Sequence, residues 1–403
     1  MAASRVAITT LRARARTAAA HGYRPLSTAA SSSTDSQTIT LPDGRTLGYA
    51  TYGSTKPSDP TLFYFHGYPS CRLEGEALDQ IAQKHGLRVV TPDRPGSGLS
   101  TVHPTSTSGP PPKVTDYPAD MTYLADHLGV GKFAVIGGSG GGPAALACGA
   151  DPSLTSRLTT VGLFAAAPPW EAGRQYMSRG RRWLAWGAER VPWLVTLGTN
   201  GLLAIVRFIV RRKYVQNKID AFIEAQAAKA REAGVGGNGT REAGVGGNGT
   251  REAGVGGNGT REAGVGGNGT REAGVGGNDT RPMSEQRDAL IRMLTEPFAQ
   301  GAAPIVYQTQ LLVRPWGIDY GTIPFQPVRI WHGTKDTASP VVMMRWLAER
   351  IPGSQMTEWD EGHYGLLKYL DEILKEVVDK AKEAEARDAA EAHDAAEVLD
   401  KKT

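Results

Sequence analysis

Short apolar runs punctuate this chain at spacings that predict strands. From Thr38, the stretch Ile-Thr-Leu-Pro-Asp-Gly-Arg-Thr-Leu-Gly-Tyr-Ala-Thr-Tyr-Gly alternates apolar and polar positions on both sides of Asp43-Gly44, which predicts a β-hairpin. Further runs at residues 61–66, 87–91, 132–136, 160–166 and 328–332 are nearly continuous in apolar residues, as expected of parallel strands buried on both faces. Helical or turn-rich text separates most of them. An α/β class with a mostly parallel sheet follows, and function is expected at the carboxyl ends of its strands.

Between residues 170 and 325 the apolar spacing becomes helical, which predicts an inserted helical cap. Inside it, Arg-Glu-Ala-Gly-Val-Gly-Gly-Asn-Gly-Thr repeats four times from Arg231 to Thr270, and a fifth copy with Asp279 ends at Thr280. A decamer this short and glycine-rich has no apolar face to bury, so a disordered loop is expected rather than a stacked solenoid. Each copy also writes an Asn-x-Thr sequon, at Asn238, Asn248, Asn258, Asn268 and Asn278; without an export signal these read as by-products of duplication. The resulting organisation is a leader at 1–37, core at 38–169, cap at 170–325, core again at 326–375, and a charged, Ala-rich tail at 376–403; from Leu366 the chain begins an amphipathic helix whose last stretch is expected to be a solvated helix extension.

Charge changes the picture in two places. The chain is formally +4, but its first 34 residues hold five arginines and no lysine, aspartate or glutamate, so the remainder stands at −1. A nearly neutral body argues against nucleic-acid binding, which needs a basic stripe on the folded domain. The leader alternates Arg with Ala, Ser and Thr and lacks the apolar core of a secretory signal. It resembles a mitochondrial transit peptide, which implies a mitochondrial location; a basic tail on a cytoplasmic protein is the alternative. The second place is residues 171–218, which carry ten Arg or Lys against Glu171 and Glu189. Within that basic segment residues 191–206 are uncharged and include Trp193, Leu194, Val195, Leu202, Leu203, Ile205 and Val206. At 16 residues broken by Gly198, Asn200 and Gly201, the run falls short of the roughly 20 needed to cross a bilayer. It suits a lid that covers an acyl chain or rests peripherally on an anionic membrane, or one whose apolar face packs on the core beneath solvated arginines. Cys71 and Cys148 are too few for a disulfide framework, and no Cys or His pair has metal-ligand spacing, His85, His103, His127 and His393 included. No cofactor or metal is expected.

Phe133-Ala-Val-Ile-Gly-Gly-Ser-Gly-Gly-Gly142 carries the chemistry. An apolar strand delivers Ser139 into a turn whose flanking Gly137 and Gly141 give G-x-S-x-G, a nucleophile elbow that lifts a hydroxyl clear of the backbone. A serine acts as nucleophile only when an imidazole takes its proton and a carboxylate holds that imidazole in the right tautomer. Both follow in order. Val328-Arg-Ile-Trp-His-Gly-Thr-Lys-Asp336 is a strand and turn ending in Asp336, and Glu358-Trp-Asp-Glu-Gly-His363 puts His363 on a loop before the last helix.

With these residues in place the chain resembles the α/β-hydrolase superfamily. His66-Gly67-Tyr68-Pro69 is similar to that family's HG-x-P turn, and Pro92-Asp93-Arg94-Pro95-Gly96-Ser97-Gly98-Leu99-Ser100 is similar to its D-R-P-G-x-G-x-S loop. The resemblance covers roughly residues 38–169 and 326–369. It implies Ser139 as nucleophile, His363 as general base and then acid, Asp336 as orienting acid, and the backbone N–H groups of Tyr68 and Gly140 as the oxyanion hole. His66 reads instead as a buried histidine bonded to loop backbone. Asp93 rivals Asp336, but its setting reads as a bonded loop. Asp360 and Glu361 lie too close to His363 in sequence, and His332 reads as packed within its strand.

A serine at the elbow, rather than the aspartate of epoxide-opening and halide-displacing relatives, points to acyl transfer. The glycines fit no nucleotide motif, because the phosphate-loop lysine is missing and Pro143 stands where G-x-G-x-x-G needs glycine. The expected substrate is an ester or thioester with an apolar acyl part. The alternatives are a proline-aminopeptidase-like amidase, which would want acidic cap residues for a substrate ammonium group, and a catalytically silent ligand-binding hydrolase fold.

Overall fold

The computed structural model describes residues 34–102, 113–232, 279 and 281–400. Residues 1–33 of the leader, residues 233–278 and 280 of the repeat with the five sequon asparagines, and His103 lie outside the described residues; the last four residues of the expected leader belong to the fold, with Gln37 opening the first strand.

Eight strands form one sheet: β1 (Gln37–Thr40), β2 (Thr46–Gly53), β3 (Thr61–Phe65), β4 (Arg88–Pro92), β5 (Phe133–Gly138), β6 (Leu158–Phe164), β7 (Val328–Gly333) and β8 (Gln355–Trp359), in the order β1-β2-β4-β3-β5-β6-β7-β8. β1 and β2 pair as the expected hairpin, with Thr40 opposite Thr46, and β2 runs antiparallel to β4. The remaining pairs are parallel. β3 has β4 on one side and β5 on the other, so the strand order reverses there and a crevice opens beyond the ends of β3 and β5. The HG-x-P turn leaves one of these ends and the serine turn the other.

Five helices clothe the sheet: α1 (Asp79–His85), α2 (Tyr117–His127), α3 (Gly142–Ala150), and, later in the chain, two counted after the cap. The cap contributes α4 (Arg179–Arg190), α5 (Pro192–Ile209), α6 (Lys213–Glu232), α7 (Met283–Thr295) and α8 (Ala303–Val313); the two late helices are α9 (Val341–Ala348) and α10 (Leu370–Asp400). One core cluster joins Phe63, Val135, Val161 and Ile330 of the sheet to Met121 and Leu124 of α2, Leu146 of α3 and Met344 and Leu347 of α9. The opposite cluster joins Leu62, Ile136 and Trp331 to Ala82 of α1 and the inner stripe of α10. Burying such Leu, Ile, Val and Phe side chains contributes about 1.5–3 kcal/mol each, so both faces of the sheet are strongly covered.

Two sequence expectations change. The strand β8 is absent from the apolar pattern because Gln355-Met-Thr-Glu-Trp359 is an edge strand with no fully buried residue. The boundary drawn at residue 375 falls inside α10, which continues as the expected helix extension, but Val377, Val378, Ala381 and Ala384 are buried where solvation was expected. These positions continue the i, i+3, i+4 spacing of Leu370, Ile373 and Leu374, and their small or branched side chains hide among the surrounding charges.

The cap is fixed to the core through charge as well as packing. Arg72, fully buried, pairs with Asp93 at 3.0 Å and with Glu296 of the cap at 2.7 Å. Of the alternatives for the 191–206 run, the one in which its apolar face packs on the core is not met. It lies in α5, where Leu203 is buried while Leu197, Leu202, Ile205 and Phe208 are more than half exposed.

Candidate active site

The elbow is built by close approach. Ser139 has φ 47°, in the left-handed region that few non-glycine residues adopt, as expected where a strand reverses into a helix within a few residues. A Cβ on Gly137 would lie 2.3 Å from the carbonyl oxygen of Gly141, and one on Gly141 would lie 2.1 Å from that of Phe65. Only glycine fits both places. The first turn after the elbow leads directly into α3, whose N-terminus begins at Gly142.

The structure brings Ser139, His363 and Asp336 together from the ends of three different strands. The Ser139 hydroxyl donates to Nε2 of His363 at 3.1 Å, and Nδ1–H of His363 donates to Oδ2 of Asp336 at 2.6 Å. The other oxygen of Asp336 accepts the backbone N–H groups of Ala338 and Ser339, both at 2.8 Å. With one oxygen pinned by the backbone, the second is aimed at the imidazole, and the bond to Nδ1 leaves Nε2 free to accept. The loops that carry Asp336 and His363 are laced together: Lys335 N–H donates to the Glu361 carbonyl at 2.9 Å and Thr334 N–H to the Trp359 carbonyl at 2.8 Å. Gly333 permits this, since a Cβ there would lie 2.3 Å from the Glu361 oxygen.

Tyr68 and Gly140 meet beside the serine. A Cβ on Gly140 would stand 3.0 Å from the Tyr68 backbone nitrogen, so the two expected oxyanion donors belong to abutting segments. The Tyr68 hydroxyl bonds Thr309 at 2.5 Å and the Ile305 carbonyl at 3.1 Å, which ties this turn to α8 of the cap. Gln308 of the same helix donates to Ser97 Oγ at 2.8 Å, tying α8 to the D-R-P-G loop as well.

The other sequence candidates sit elsewhere in the bonding scheme. His66 accepts the Arg94 backbone N–H at Nε2, 3.1 Å, and donates from Nδ1 to the Gly67 carbonyl, 2.9 Å. Burial first, and the nearby Arg94 guanidinium second, hold its pKa well below the ordinary value, so it is a neutral scaffold residue. Asp93 accepts the backbone N–H groups of Arg72 and Leu99 besides the Arg72 guanidinium. Asp360 pairs with Lys335 and Glu361 with Lys368. His332 donates to the Ser339 carbonyl at 2.7 Å inside the core. Burial raises the thiol pKa of both Cys71 and Cys148, which leaves them protonated at neutral pH. Among the described residues no group of three His, Cys, Asp or Glu side chains is placed to hold a metal ion.

Two residues of the site were not singled out from sequence. Arg94 spreads its guanidinium between the Gly67 carbonyl, 2.6 Å, and the Gly140 carbonyl, spanning the two segments expected to supply the oxyanion donors. Glu74 accepts the Gly67 N–H with both carboxylate oxygens, each at 3.0 Å, and the Tyr64 hydroxyl at 2.8 Å. Arg94 stood inside a quoted motif; its fixed position after Asp93 was the available signal. Glu74 had none.

The comparisons agree with this architecture. The profile of the alpha/beta hydrolase fold family matches residues 60–197, a span that runs from β3 through the serine turn into the cap. The chain has the α/β-hydrolase fold. Among solved structures, the chain is similar to an alpha/beta hydrolase enzyme from a Medee basin deep-sea metagenome library, with a TM-score of 0.51 and 13% identity over 86% of this chain and 97% of that one. At that identity the likeness concerns the fold. A thermophilic esterase from Thermogutta terrifontis is also similar, with a TM-score of 0.47 and 17% identity over 87% of this chain and 98% of that one. Among curated proteins, a proline iminopeptidase from Xanthomonas citri is 36% identical over 126 residues, or 28% of this chain. That match spans 39% of the relative's length, well under two thirds.

Proposed function

We propose that this protein is a serine hydrolase that cleaves carboxylic esters or thioesters with an apolar acyl part. The observation that carries the reading is the single line of hydrogen bonds from Ser139 through His363 to Asp336, at 3.1 and 2.6 Å. In this reading His363 takes the Ser139 proton as Oγ attacks the substrate carbonyl, and the Asp336 carboxylate stabilises the imidazolium that results. The developing oxyanion is received by the N–H groups of Tyr68 and Gly140. Collapse expels the alcohol or thiol, which takes its proton from His363, and leaves an acyl group on Ser139. Water activated by the same imidazole then releases the acid and restores the serine.

An apolar acyl part is favoured by the cap. A cavity of about 560 Å³ lies between α5 and α8, lined by Pro192, Trp193, Leu197, Val306 and Tyr307 among others, and none of the three triad positions lines it. The proline iminopeptidase likeness favours a second reading, cleavage of an amino-terminal amide. Glu74 is a carboxylate close to the serine turn, since a Cβ on Gly67 would lie 3.2 Å from it and 3.4 Å from Ser139, but Gly67 and Tyr64 already engage its oxygens, so an incoming ammonium would compete with those donors.

The test is a set of esters and thioesters graded by acyl length, alongside proline and other amino-acid arylamides, with Ser139→Ala as control and labelling by a fluorophosphonate probe. The proposal expects labelling at Ser139, turnover of esters or thioesters abolished in S139A, and little arylamide hydrolysis. Folded wild type that resists the probe and turns over none of these would overturn it; arylamides as the best substrates would establish the second reading.

A further inference from the structure

The outward face of α5 is inverted. A helix on a protein surface ordinarily turns polar groups to water and apolar ones inward. Along α5, Leu194, Leu197, Leu202, Ile205 and Phe208 recur at steps of three to five residues and are 49–64% exposed, while Leu203 on the other side is 8% exposed. Gly198 and Gly201 sit between them and add no polar group. The neighbouring α4 extends the patch with Trp183 and Trp186, 68% and 52% exposed, whose rings meet edge to face at 5.7 Å. So many large apolar side chains exposed along one side of a helix mark a place of contact.

The rim says with what. Arg211, Arg212 and Lys213 follow α5 directly, and Arg179, Arg182 and Arg190 of α4 precede it, all exposed. Arg212 lies over the Phe208 ring at 4.1 Å, so a cation is held at the border of the apolar stripe. A second copy of the chain is a poor match, because a two-fold contact sets the same patch against itself and brings like charges together. An anionic lipid surface offers apolar depth in the middle and negative charge around it. Nor is α5 disposed to cross the bilayer. Its 18 residues span about 27 Å, a single residue joins it to α4 and three join it to α6, and Asn200 at its middle accepts the Ala302 N–H at 3.2 Å. It is held along the body of the protein, presenting one side.

We propose that α5, with Trp183 and Trp186, docks this protein on the surface of an anionic phospholipid membrane. The cavity between α5 and α8 adjoins that face, since Trp193 and Leu197 belong to both. The proposal stands apart from the chemistry of Ser139.

Flotation of the full chain with vesicles of phosphatidylcholine, or of phosphatidylcholine mixed with phosphatidylglycerol, tests it. Wild type is expected to float with the mixed vesicles at least tenfold more than with phosphatidylcholine alone, with a blue shift of tryptophan emission. Two variants separate the contributions: Leu202→Ser with Ile205→Ser and Phe208→Ser, and Arg211→Gln with Arg212→Gln and Lys213→Gln. Each should lose at least tenfold in binding while circular dichroism stays unchanged, which exposed positions allow. The basic leader is present in every arm, so binding that survives the serine variant belongs elsewhere and overturns the proposal. Equal binding to both vesicle types overturns it too. So does a wild-type dimer that the serine variant converts to monomer, which would make the face a self-association surface.

Discussion

Arg94 donates one arm of its guanidinium to the carbonyl oxygen of Gly67 at 2.6 Å, and the other reaches the carbonyl of Gly140. The peptide units on either side of the expected oxyanion position are therefore held by one planar, pre-organised cation. Lysine, a point charge on a flexible stem, cannot bridge two carbonyls in this way.

Arg94→Lys is accordingly expected to lower kcat by roughly ten- to a hundredfold with little change in KM, because the donors lose alignment where charge develops rather than where substrate first binds. Arg94→Met should add about 1–3 kcal/mol of destabilisation by withdrawing the guanidinium donors from two buried carbonyls, of which Gly67 keeps its bond from His66. Steady-state kinetics beside a denaturant titration separates the two effects. A rate loss no larger than the unfolded fraction would show that Arg94 acts on stability alone.

Asp336→Asn tests tautomer control at His363. In wild type, Oδ1 accepts from Ala338 and Ser339 while Oδ2 receives Nδ1–H. The asparagine oxygen would keep the two backbone donors, which turns its NH₂ group toward Nδ1. That selects the tautomer with the proton on Nε2, where it blocks the Ser139 hydroxyl. The fall in kcat is expected to be on the order of 10⁴ with Tm little changed. Activity within tenfold of wild type would remove Asp336 from its proposed role.

The pH dependence of stability should report His66. Its Nε2 accepts the Arg94 N–H and so must stay unprotonated in the fold, and burial, followed by the Arg94 charge, depresses its pKa well below 6.5. Below 6.5 the unfolded chain takes up a proton at this position that the native chain does not. Stability therefore falls as pH drops from 6.5 toward the lower native pKa, by at most about 1.4 kcal/mol per pH unit. It is flat above that range as far as this group is concerned. His66→Asn should be less stable throughout but shallower between pH 6.5 and 5 in thermal melts. A slope equal to that of wild type would assign the acid sensitivity to other groups.

Most of the sheet and the gathering of Ser139, His363 and Asp336 were legible because those features need particular residues in particular order. Buried parallel strands must be apolar, and a turn as tight as the one at Ser139 must have glycine at 137 and 141. β8 was not legible, since an edge strand exposes half its surface and need not be apolar. Glu74 was invisible for another reason. It acts by receiving the Gly67 N–H, and nothing in a linear text distinguishes a carboxylate that returns to a nearby turn from one that points to water. The exposure of α5 was hidden in the same way, because composition gives the apolar content of a helix but not which of its sides meets a neighbour.

α8 is pinned at two points, by Tyr68 to one loop and by Gln308 to another, with Pro304 filling the space a Cβ on Gly96 would need. That sets unequal freedom within the insertion. Residues 303–313 can change little without disturbing the reacting centre, whereas α5 and α6, bonded through Asn200, Arg207 and Asp220 to other parts of the cap, can be exchanged or lengthened at smaller cost. New substrate preferences, whether acquired by natural drift or by laboratory selection, should accumulate in those two helices and spare α8.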